Sequence, residues 1–312
     1  MKHGLVLALG ALALATTACA YAARPGDRLS KPSDAASQHL TVKGVERDYL
    51  LLDARPGRGP APLVIALHGG GGNGSTMVPR WKATAEREGL VVAFPEGLGR
   101  NARMGTWNAG GCCGFAMNEN SDDVGFIGAL IDRLVAEGIA DPARIYVTGM
   151  SNGGMLTHKV AIAFPGKIAG AAVIAGAMFG DEPLPSGPVP MMIMHGERDQ
   201  VVGFAGGTSP MELVARSQDR PFLPVRSTVD FWVKADACRS VRTQGKPGQD
   251  EVVIETHDQC RNGSEVVFYR LKSATHTWPG STNTMRALEV TPYLAIDATE
   301  TAWSFFKRHV RH

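Results

Sequence analysis

Ser151 lies in the stretch YVTGMSNGGM (residues 146–155), with a glycine two positions away on each side. Glycine loses more backbone entropy on folding than any other residue, so flanking glycines make sense where the chain must turn sharply. Residues 149–153 match the pattern G-x-S-x-G, in which a strand ends, the serine sits on a tight turn and a helix begins. The pattern predicts a nucleophilic serine, but in a chain with 37 glycines it needs partners elsewhere to be specific.

A serine hydroxyl is a poor nucleophile until a base accepts its proton, and that base needs a carboxylate to orient it. Asp199 lies just beyond the apolar run MMIM, and His276 follows the run VVFYRL by a few residues. The order serine, aspartate, histidine is that of the α/β-hydrolase triad. We therefore predict that Ser151 is the nucleophile, His276 the general base and Asp199 the acid. Asp181, after the preceding strand, and Asp219, in a polar loop, are the alternative acids.

The chain has nine histidines, and the others fit the role of base less well. His68 and His195 precede glycines at strand ends, where a structural histidine is more common than a base. His158 lies within the helix predicted after Ser151, and His257 lies in a polar excursion between two cysteines. His276 alone combines a late chain position with a loop setting, which the triad order requires.

The negative oxygen of a tetrahedral intermediate needs donors that are already in place. In the G-x-S-x-G turn, one donor is the backbone N–H of the residue after the serine, here Asn152. We expect the second donor from the glycine run after His68, from Gly70 in preference to Gly69. Glycine suits this position because no Cβ stands between the backbone N–H and the substrate.

Short apolar runs alternate with helical segments along the chain. The runs LVIAL, LVVAFP, RIYVTG, MMIM and VVFYRL are typical of buried strands, and three of them end at candidate site residues. This alternation predicts a mainly parallel central sheet with helices on both faces. Together with the order serine, aspartate, histidine, it leads us to expect an α/β-hydrolase fold. In such sheets, ligands bind at the carboxyl ends of the strands. HLTVKGVERDYLLLDA predicts a hairpin that turns at Gly44, ETAWSFFKRH predicts a closing helix, and the less regular segment 204–262 is expected to form excursions above the sheet.

The N-terminus predicts export. A short basic start, an apolar run and small residues indicate a signal peptide over residues 1–22, too short for a stable membrane span. Cys19 allows the alternative of lipoprotein-type processing. Residues 23–38 are polar and predict a mobile leader, so residues 39–312 form a single catalytic domain. We expect a secreted or periplasmic protein.

Composition and cysteine usage narrow the choices further. The formal net charge is +2 with no basic block, which argues against a nucleic-acid partner. Once Cys19 is removed or lipidated, four cysteines remain in an oxidising compartment, and their spacing matches no common zinc pattern. We predict a disulfide between Cys238 and Cys260, and leave the pairing of the adjacent Cys112 and Cys113 open. We expect neither a metal nor a cofactor.

With these residues in hand, the chain resembles the secreted esterases that include polyhydroxybutyrate depolymerases and type-B-like feruloyl esterases. The resemblance covers about residue 40 to the closing helix, and rests on LHGGGGN, WNAGGCCG, DDVGFI, VTGMSNGGM, HGERDQVV and HTWPG. It implies an exported serine ester hydrolase in which Ser151, Asp199 and His276 form the triad. Where such relatives have a cysteine after the His-Gly of the oxyanion loop, this chain has Gly70, which leaves a backbone donor unaffected.

The resemblance implies an ester substrate, small or oligomeric. Many polymer-degrading relatives add a linker and a binding module, which we do not find, so soluble esters are expected. Trp107 and Trp278 are candidate substrate-binding residues, because a flat apolar wall suits an aryl ring; the alternative for both is core packing. We place hydroxycinnamate esters first and short hydroxyalkanoate oligomers second. The alternatives are an acetylxylan esterase, a serine peptidase on the same fold, and an exported binding protein without catalytic activity.

Overall fold

A ten-stranded sheet organises the described part of this computed structural model, which covers residue 1 and residues 35–101, 104–282 and 291–311. The strand order is β1-β2-β4-β3-β5-β6-β7-β10-β9-β8. Neighbouring strands from β4 to β10 run parallel, whereas β1, β2, β9 and β8 add antiparallel pairs at the two edges. The strands are β1 Ala36–Val42, β2 Val45–Asp53, β3 Ala61–Leu67, β4 Val91–Pro95, β5 Ala140–Met150, β6 Gly170–Ile174, β7 Met191–Gly196, β8 Ser240–Gln244, β9 Val252–Asp258 and β10 Val266–Leu271.

Seven α-helices accompany the sheet in the described residues. Among the helices, α3, α4 and α6 contribute to the apolar cluster on one face of the sheet, and α1 and α7 to the cluster on the other. No helix in this part of the chain is both long and apolar enough to cross a bilayer. The helices are α1 Val78–Glu88, α2 Gly114–Asn118, α3 Asp123–Ala136, α4 Asn152–Ala163, α5 Glu212–Ala215, α6 Val225–Ala235 and α7 Ala298–Phe306.

The apolar runs form strands that are buried on both faces. In β3, Leu63, Ile65 and Leu67 belong to one apolar cluster, whereas Val64 and Ala66 belong to the other. Side chains alternate between the faces of a strand, so only a continuous apolar run fills both. The predicted mainly parallel sheet with helices on both faces is therefore confirmed.

The boundaries differ from the prediction in two places. β1 begins at Ala36, so residues 36–38 belong to the sheet rather than to the predicted leader. The segment 204–262 also contains more regular structure than its polar sequence indicated, because α6 packs on the sheet while β8 and β9 extend it. The predicted turn at Gly44 joins β1 to β2. Residues 2–34, which hold nearly all of the predicted signal peptide and most of the leader, lie outside the described residues.

Candidate active site

Ser151 occupies the sharp turn between β5 and α4. Its backbone has φ 55° and ψ −124°, a conformation that L-residues rarely adopt. The flanking glycines make the turn possible: a Cβ on Gly149 would lie 2.4 Å from backbone atoms of Gly153, and a Cβ on Gly153 would lie 2.4 Å from the carbonyl oxygen of His68. Strand, serine and helix can therefore approach this closely only with glycine at both positions.

Asp199 and His276 are hydrogen-bonded to each other. The distance from His276 Nδ1 to Asp199 Oδ2 is 2.8 Å, and both side chains are buried. The other carboxylate oxygen, Oδ1, accepts the backbone N–H groups of Val201 and Val202, each at 2.8 Å. The carboxylate is therefore held in one orientation, and its bond to Nδ1 leaves His276 Nε2 as the ring nitrogen available to a substrate or nucleophile.

The environment keeps Asp199 ionised. Burial by itself would raise the pKa of this carboxyl group, but the attraction of His276 and hydrogen bonds from His195 and His276 outweigh it and lower the pKa below its usual range. His195 Nε2 lies 3.3 Å from Asp199 Oδ2 and bonds the carbonyl oxygen of Val202 at 2.8 Å. His195 is thus committed to the loop that carries the acid, as expected for a structural histidine.

Ser151 and His276 line one cleft, a cavity of about 630 Å³ at the carboxyl ends of the strands. Across the described residues, no hydrogen bond joins the Ser151 hydroxyl to the His276 ring. Catalytic hydrogen bonds are often long or poorly aligned without substrate. Most of the other cleft side chains are apolar, among them Met77, Met150, Met155, Met211, Val201, Val202, Leu213 and Val214.

The glycine run after β3 forms part of the wall of the cleft. Hydrogen bonds shape this loop: Gly71 N donates to the Gly105 carbonyl at 2.8 Å, and Gly72 N donates to the Gly69 carbonyl at 3.0 Å. No backbone hydrogen bond of the described residues uses the N–H of Gly69 or Gly70, and both residues line the cleft. The first N–H groups of an α-helix lack intrahelical partners, so the N–H of Asn152 at the start of α4 is also available.

His68 holds this loop and does not reach the cleft. Its Nδ1 lies 2.8 Å from the carbonyl oxygen of Gly69, and its Nε2 accepts the backbone N–H of Gly97 at 3.0 Å. Burial lowers the pKa of His68 to about 4, although the Gly69 carbonyl and Asp123 act in the opposite direction. The ring is therefore neutral and acts as a bridge between two loops.

Trp107 lies beneath the cleft and not on its wall. The side chain is fully buried, stacks at a tilt on the His68 ring and donates from Nε1 to the His68 carbonyl oxygen at 2.9 Å. This is the core-packing alternative and not a substrate wall, because the indole packs against His68, directly before the glycine run. Trp278, also buried, does line the cleft, and its Nε1 donates to Thr299 Oγ1 at 3.1 Å.

The side chain of Asn152 has a role that sequence analysis missed. Its Oδ1 accepts the backbone N–H of Trp107 at 2.7 Å, and its Nδ2 donates to the Trp107 carbonyl at 3.0 Å and to the Cys112 carbonyl at 3.4 Å. The loop that contains WNAGGCCG is thereby tied to the turn at Ser151. Only the backbone of Asn152 could be assigned from the G-x-S-x-G pattern, since its side-chain partners are main-chain atoms of another loop.

A buried ion pair anchors the same loop at its other side. Asp123 accepts from Arg47 at 2.8 Å, from Ser121 Oγ at 2.9 Å and from the backbone N–H of Asn108 at 2.7 Å. From the sequence, DDVGFI was only one of the motifs of the resemblance; in the structure its first aspartate, Asp122, caps α3 by accepting the Gly125 N–H. The second aspartate has the larger task of holding the loop beside the cleft.

The alternative acids and another of the alternative histidines, His158, lie outside the lining of the cleft that contains Ser151. Asp181 is exposed and paired with Arg220 at 2.6 Å, and Asp219 is exposed. His158 is buried in α4, where its Nδ1 accepts from Trp232 Nε1 at 3.0 Å and burial lowers its pKa to about 3. None of the three lines the cleft.

Both cysteine pairs are joined as disulfides. The bond between Cys238 and Cys260 ties the end of α6 to the segment after β9, as predicted. The adjacent Cys112 and Cys113 are paired with each other, which is one of the arrangements that the sequence left open. Cys113 lines the cleft, so this second bond lies in its wall.

Fold and site together define an α/β-hydrolase with esterase-type geometry. A family model described as Phospholipase/Carboxylesterase matches residues 54–220, more than half of the chain, and the chain belongs to this family. The chain is therefore a member of a family of carboxylic ester hydrolases.

Individual relatives are more distant. The chain is 29% identical over 263 residues to "Putative esterase NocK" of Nocardia uniformis subsp. tsuyamanensis, which covers 79% of this chain and 74% of that protein. It is 28% identical over 228 residues to feruloyl esterase B of Piromyces equi, covering 69% of this chain and 39% of the relative. It is 30% identical over 124 residues to poly(3-hydroxyalkanoate) depolymerase C of Paucimonas lemoignei, covering 38% of this chain and 28% of the relative. The chain thus spans less than half of the last two proteins.

Among solved structures, acetyl xylan esterase from Aspergillus awamori superposes with a TM-score of 0.52. The sequence identity is 18%, and the match covers 78% of this chain and 94% of that structure. At this identity the likeness shows the shared fold and no more.

Proposed function

We propose that this chain is an exported serine esterase in which Ser151, His276 and Asp199 act as nucleophile, general base and orienting acid. The observation that carries the proposal is the hydrogen-bonded Asp199–His276 pair, which meets Ser151 on its strained turn in one cleft. A carboxylate on Nδ1 leaves Nε2 to accept the serine proton, and this is the arrangement that activates a hydroxyl nucleophile.

In the proposed reaction, Ser151 Oγ attacks the ester carbonyl carbon while His276 Nε2 takes the hydroxyl proton. The resulting oxyanion accepts hydrogen bonds from the N–H groups of Asn152 and Gly70, in preference to Gly69. The C–O bond to the alcohol then breaks, and His276 returns the proton to the leaving oxygen. Water then attacks the acyl carbonyl carbon while His276 takes one of its protons. The bond from the acyl group to Ser151 Oγ breaks, His276 returns the proton to Oγ, and the acid is released.

For the substrate we propose soluble esters, with hydroxycinnamate esters of plant polysaccharide fragments first and short hydroxyalkanoate oligomers second. The apolar cleft and the indole of Trp278 in its wall support an aryl or alkyl acyl group. The likeness to a feruloyl esterase and to a poly(3-hydroxyalkanoate) depolymerase supports both classes. Measuring kcat/KM for methyl ferulate, a 3-hydroxybutyrate oligomer and an acetylated xylo-oligosaccharide on one preparation ranks them. A tenfold advantage of either other ester over methyl ferulate would reverse our order.

Ser151→Ala tests the serine mechanism. We expect kcat for a 4-nitrophenyl ester to fall on the order of 10⁶-fold with the fold intact, because the nucleophile is removed without disturbing the core. Wild-type protein should react covalently with a fluorophosphonate probe, and the variant should not. The matched control is Ser217→Ala, since Ser217 also lines the cleft but its hydroxyl donates to the Val214 carbonyl at 2.9 Å.

Each of the other possible outcomes would indicate a different function or a different nucleophile. A folded wild-type protein that neither reacts with the probe nor hydrolyses esters would be a binding protein without catalytic activity. Labelling with faster cleavage of peptides than of esters would indicate a peptidase on the same fold. Equal labelling of wild type and Ser151→Ala would contradict our assignment of the nucleophile.

Export is a separate part of the proposal. The signal-like sequence of residues 1–22 and the two disulfides support it, since structural disulfides persist mainly in oxidising compartments. Mass spectrometry of the N-terminus of protein made in a Gram-negative host provides the test. We expect a periplasmic or secreted chain that begins after residue 22, or an acylated Cys19 in the lipoprotein alternative. A cytoplasmic protein that retains the whole segment would contradict export.

A further inference from the structure

The cleft contains an arginine that the proposed mechanism does not use. Arg80, in the first turn of α1, lines the same cavity as Ser151 and His276 and is half-buried. Its guanidinium carbon lies 5.7 Å from the centre of the Trp278 ring. His276 and Trp278 line the same cavity, so the positive charge of Arg80 shares the cleft with the candidate base.

Arg80 has few partners for its five N–H groups. Its Nη1 donates to the Thr76 carbonyl oxygen at 2.5 Å and contacts the sulfur of Met77 at 3.2 Å. Its Nε is buried and has no acceptor, and no carboxylate of the described residues forms an ion pair with this side chain. Arg87 on the same helix is, by contrast, paired with Glu88 and Glu300.

The composition of the cleft lining makes the positive charge of Arg80 unusual. Among the described residues that line the cavity there is no aspartate or glutamate. A charge withdrawn from water without a partner costs free energy, so such a group usually pairs or serves a ligand. Arginine stays protonated at neutral pH, and its planar fork matches a carboxylate in a bidentate manner.

We propose that Arg80 binds a carboxylate of the substrate, so that this esterase prefers esters carrying a free acid group. The inference rests on the proposed serine mechanism and narrows its substrate class. The carboxylate could be the free end of a hydroxyacid oligomer or the acid group of an acidic sugar. In both, the ester carbonyl lies at Ser151 while the acid group reaches the guanidinium beside Trp278.

Paired substrates that differ only in charge test the proposal. The first pair is a 3-hydroxybutyrate trimer with a free carboxylate and the same trimer with a terminal carboxamide. The second pair is acetylated glucuronate and its carboxamide. Wild-type protein should show a higher kcat/KM for the acid in at least one pair, and the pair with the larger ratio identifies the source of the carboxylate.

Variants then assign the preference to Arg80. Arg80→Met keeps an apolar stem over Trp278 and should lower kcat/KM for the preferred acid about 10- to 100-fold, mainly through KM, while leaving the carboxamide nearly unchanged. Arg80→Lys should recover part of the loss, because it keeps the charge without the fork. Arg87→Met removes the same charge from the exposed side of α1 and should leave both ratios as in wild type.

The possible outcomes distinguish a failure of this inference from a failure of the proposed function on which it rests. If Arg80→Met slows the acid and the carboxamide equally, or leaves the ratio unchanged, the arginine is only a packing residue and the inference is wrong. If wild type hydrolyses the acid and the carboxamide at the same rate in both pairs, no carboxylate is recognised and the inference is wrong. If wild type hydrolyses no ester and reacts with no fluorophosphonate, the proposed function itself fails, whatever Arg80 does.

Discussion

Asp199 is the residue whose surroundings say most about its chemistry. Four hydrogen-bond donors face its two oxygens: the backbone N–H groups of Val201 and Val202, His276 Nδ1 and, at 3.3 Å, His195 Nε2. Burial would raise its pKa, but the two imidazole groups and their hydrogen bonds lower it. The carboxylate therefore stays ionised well below neutral pH, and its loss of charge does not set the acid limb of an activity profile.

Asp199→Asn should lower kcat about 10⁴-fold. The asparagine oxygen can keep both backbone N–H bonds, which turns its amide N–H₂ toward His276 Nδ1. The imidazole must then carry its proton on Nε2, the nitrogen that has to accept the proton of Ser151. Steady-state hydrolysis of a 4-nitrophenyl ester measures the loss.

The matched control is Asp181→Asn, because the sequence alone made Asp181 a competing acid. That side chain is exposed and paired with Arg220, so the variant should retain wild-type activity. A large loss in Asp181→Asn together with a small loss in Asp199→Asn would reverse the assignment of the acid.

Among the elements, the turn between β5 and α4 requires residues without a side chain at Gly149 and Gly153. Gly149→Ala should destabilise the fold by about 1–3 kcal/mol or more and reduce activity, since the new Cβ would lie 2.4 Å from the backbone of Gly153 and neither segment can move alone. Urea unfolding measures the free energy, and ester hydrolysis measures the displacement of Ser151.

Gly166→Ala serves as the control for the same substitution. A Cβ at Gly166 meets no atom within 4 Å, so this variant should keep its unfolding midpoint and its activity. If Gly149→Ala matched this control in both measurements, the turn would have more room than its contacts indicate.

The elements also show which parts of the site can be predicted from sequence. Ser151, Asp199 and His276 can be proposed from sequence because few residue types can act as nucleophile, acid and base, and because strand ends restrict where they lie. The structure brings Ser151 and His276 to one cleft and bonds His276 to Asp199. The side-chain bonds of Asn152 and Asp123 escape this reasoning, since they hold backbone groups of Trp107 and Asn108, 45 and 15 residues away. Nothing local in the sequence indicates such partners.

For the whole molecule, two buried neutral histidines predict acid sensitivity. The pKa of His68 is lowered by burial from 6.5 to about 4, and that of His158 from 6.5 to about 3. In the unfolded chain both titrate near 6.5, so the unfolded state binds more protons as the pH falls below that value. The stability is therefore unaffected above 6.5 and decreases below it, until the folded pKa of each histidine is reached.

Between pH 7.5 and pH 5, each histidine should cost about 2 kcal/mol of unfolding free energy. Urea titrations at the two pH values measure the difference. His158→Gln keeps an acceptor for Trp232 Nε1 and removes one titrating group, so its loss should be about 2 kcal/mol smaller than that of wild type. His39→Gln, at an exposed position, should keep most of the wild-type loss. An equal loss in wild type and His158→Gln would contradict the prediction.

The centre of the sheet is easier to predict from sequence than the edge formed by β9 and β8. The central strands are continuous apolar runs, because both faces of the sheet bury them, and such runs stand out in any sequence. β8 reads SVRTQ and is largely exposed, so it lacks both the apolar run and the alternation that mark a strand. Its place in the sheet is set by pairing with β9, which composition does not reveal.

The position of β10 beside β7 has a consequence for how the protein is made. α5, α6, β8 and β9 separate these neighbours along the chain, and the loop after β10 carries His276. During synthesis, Ser151 and Asp199 therefore leave the ribosome well before His276, the proposed base. Under the proposed mechanism, translation products that stop short of β10 are inert, and hydrolysis begins only when a late, non-local strand pairing closes the sheet. Synthesis order itself would thus delay the onset of catalysis.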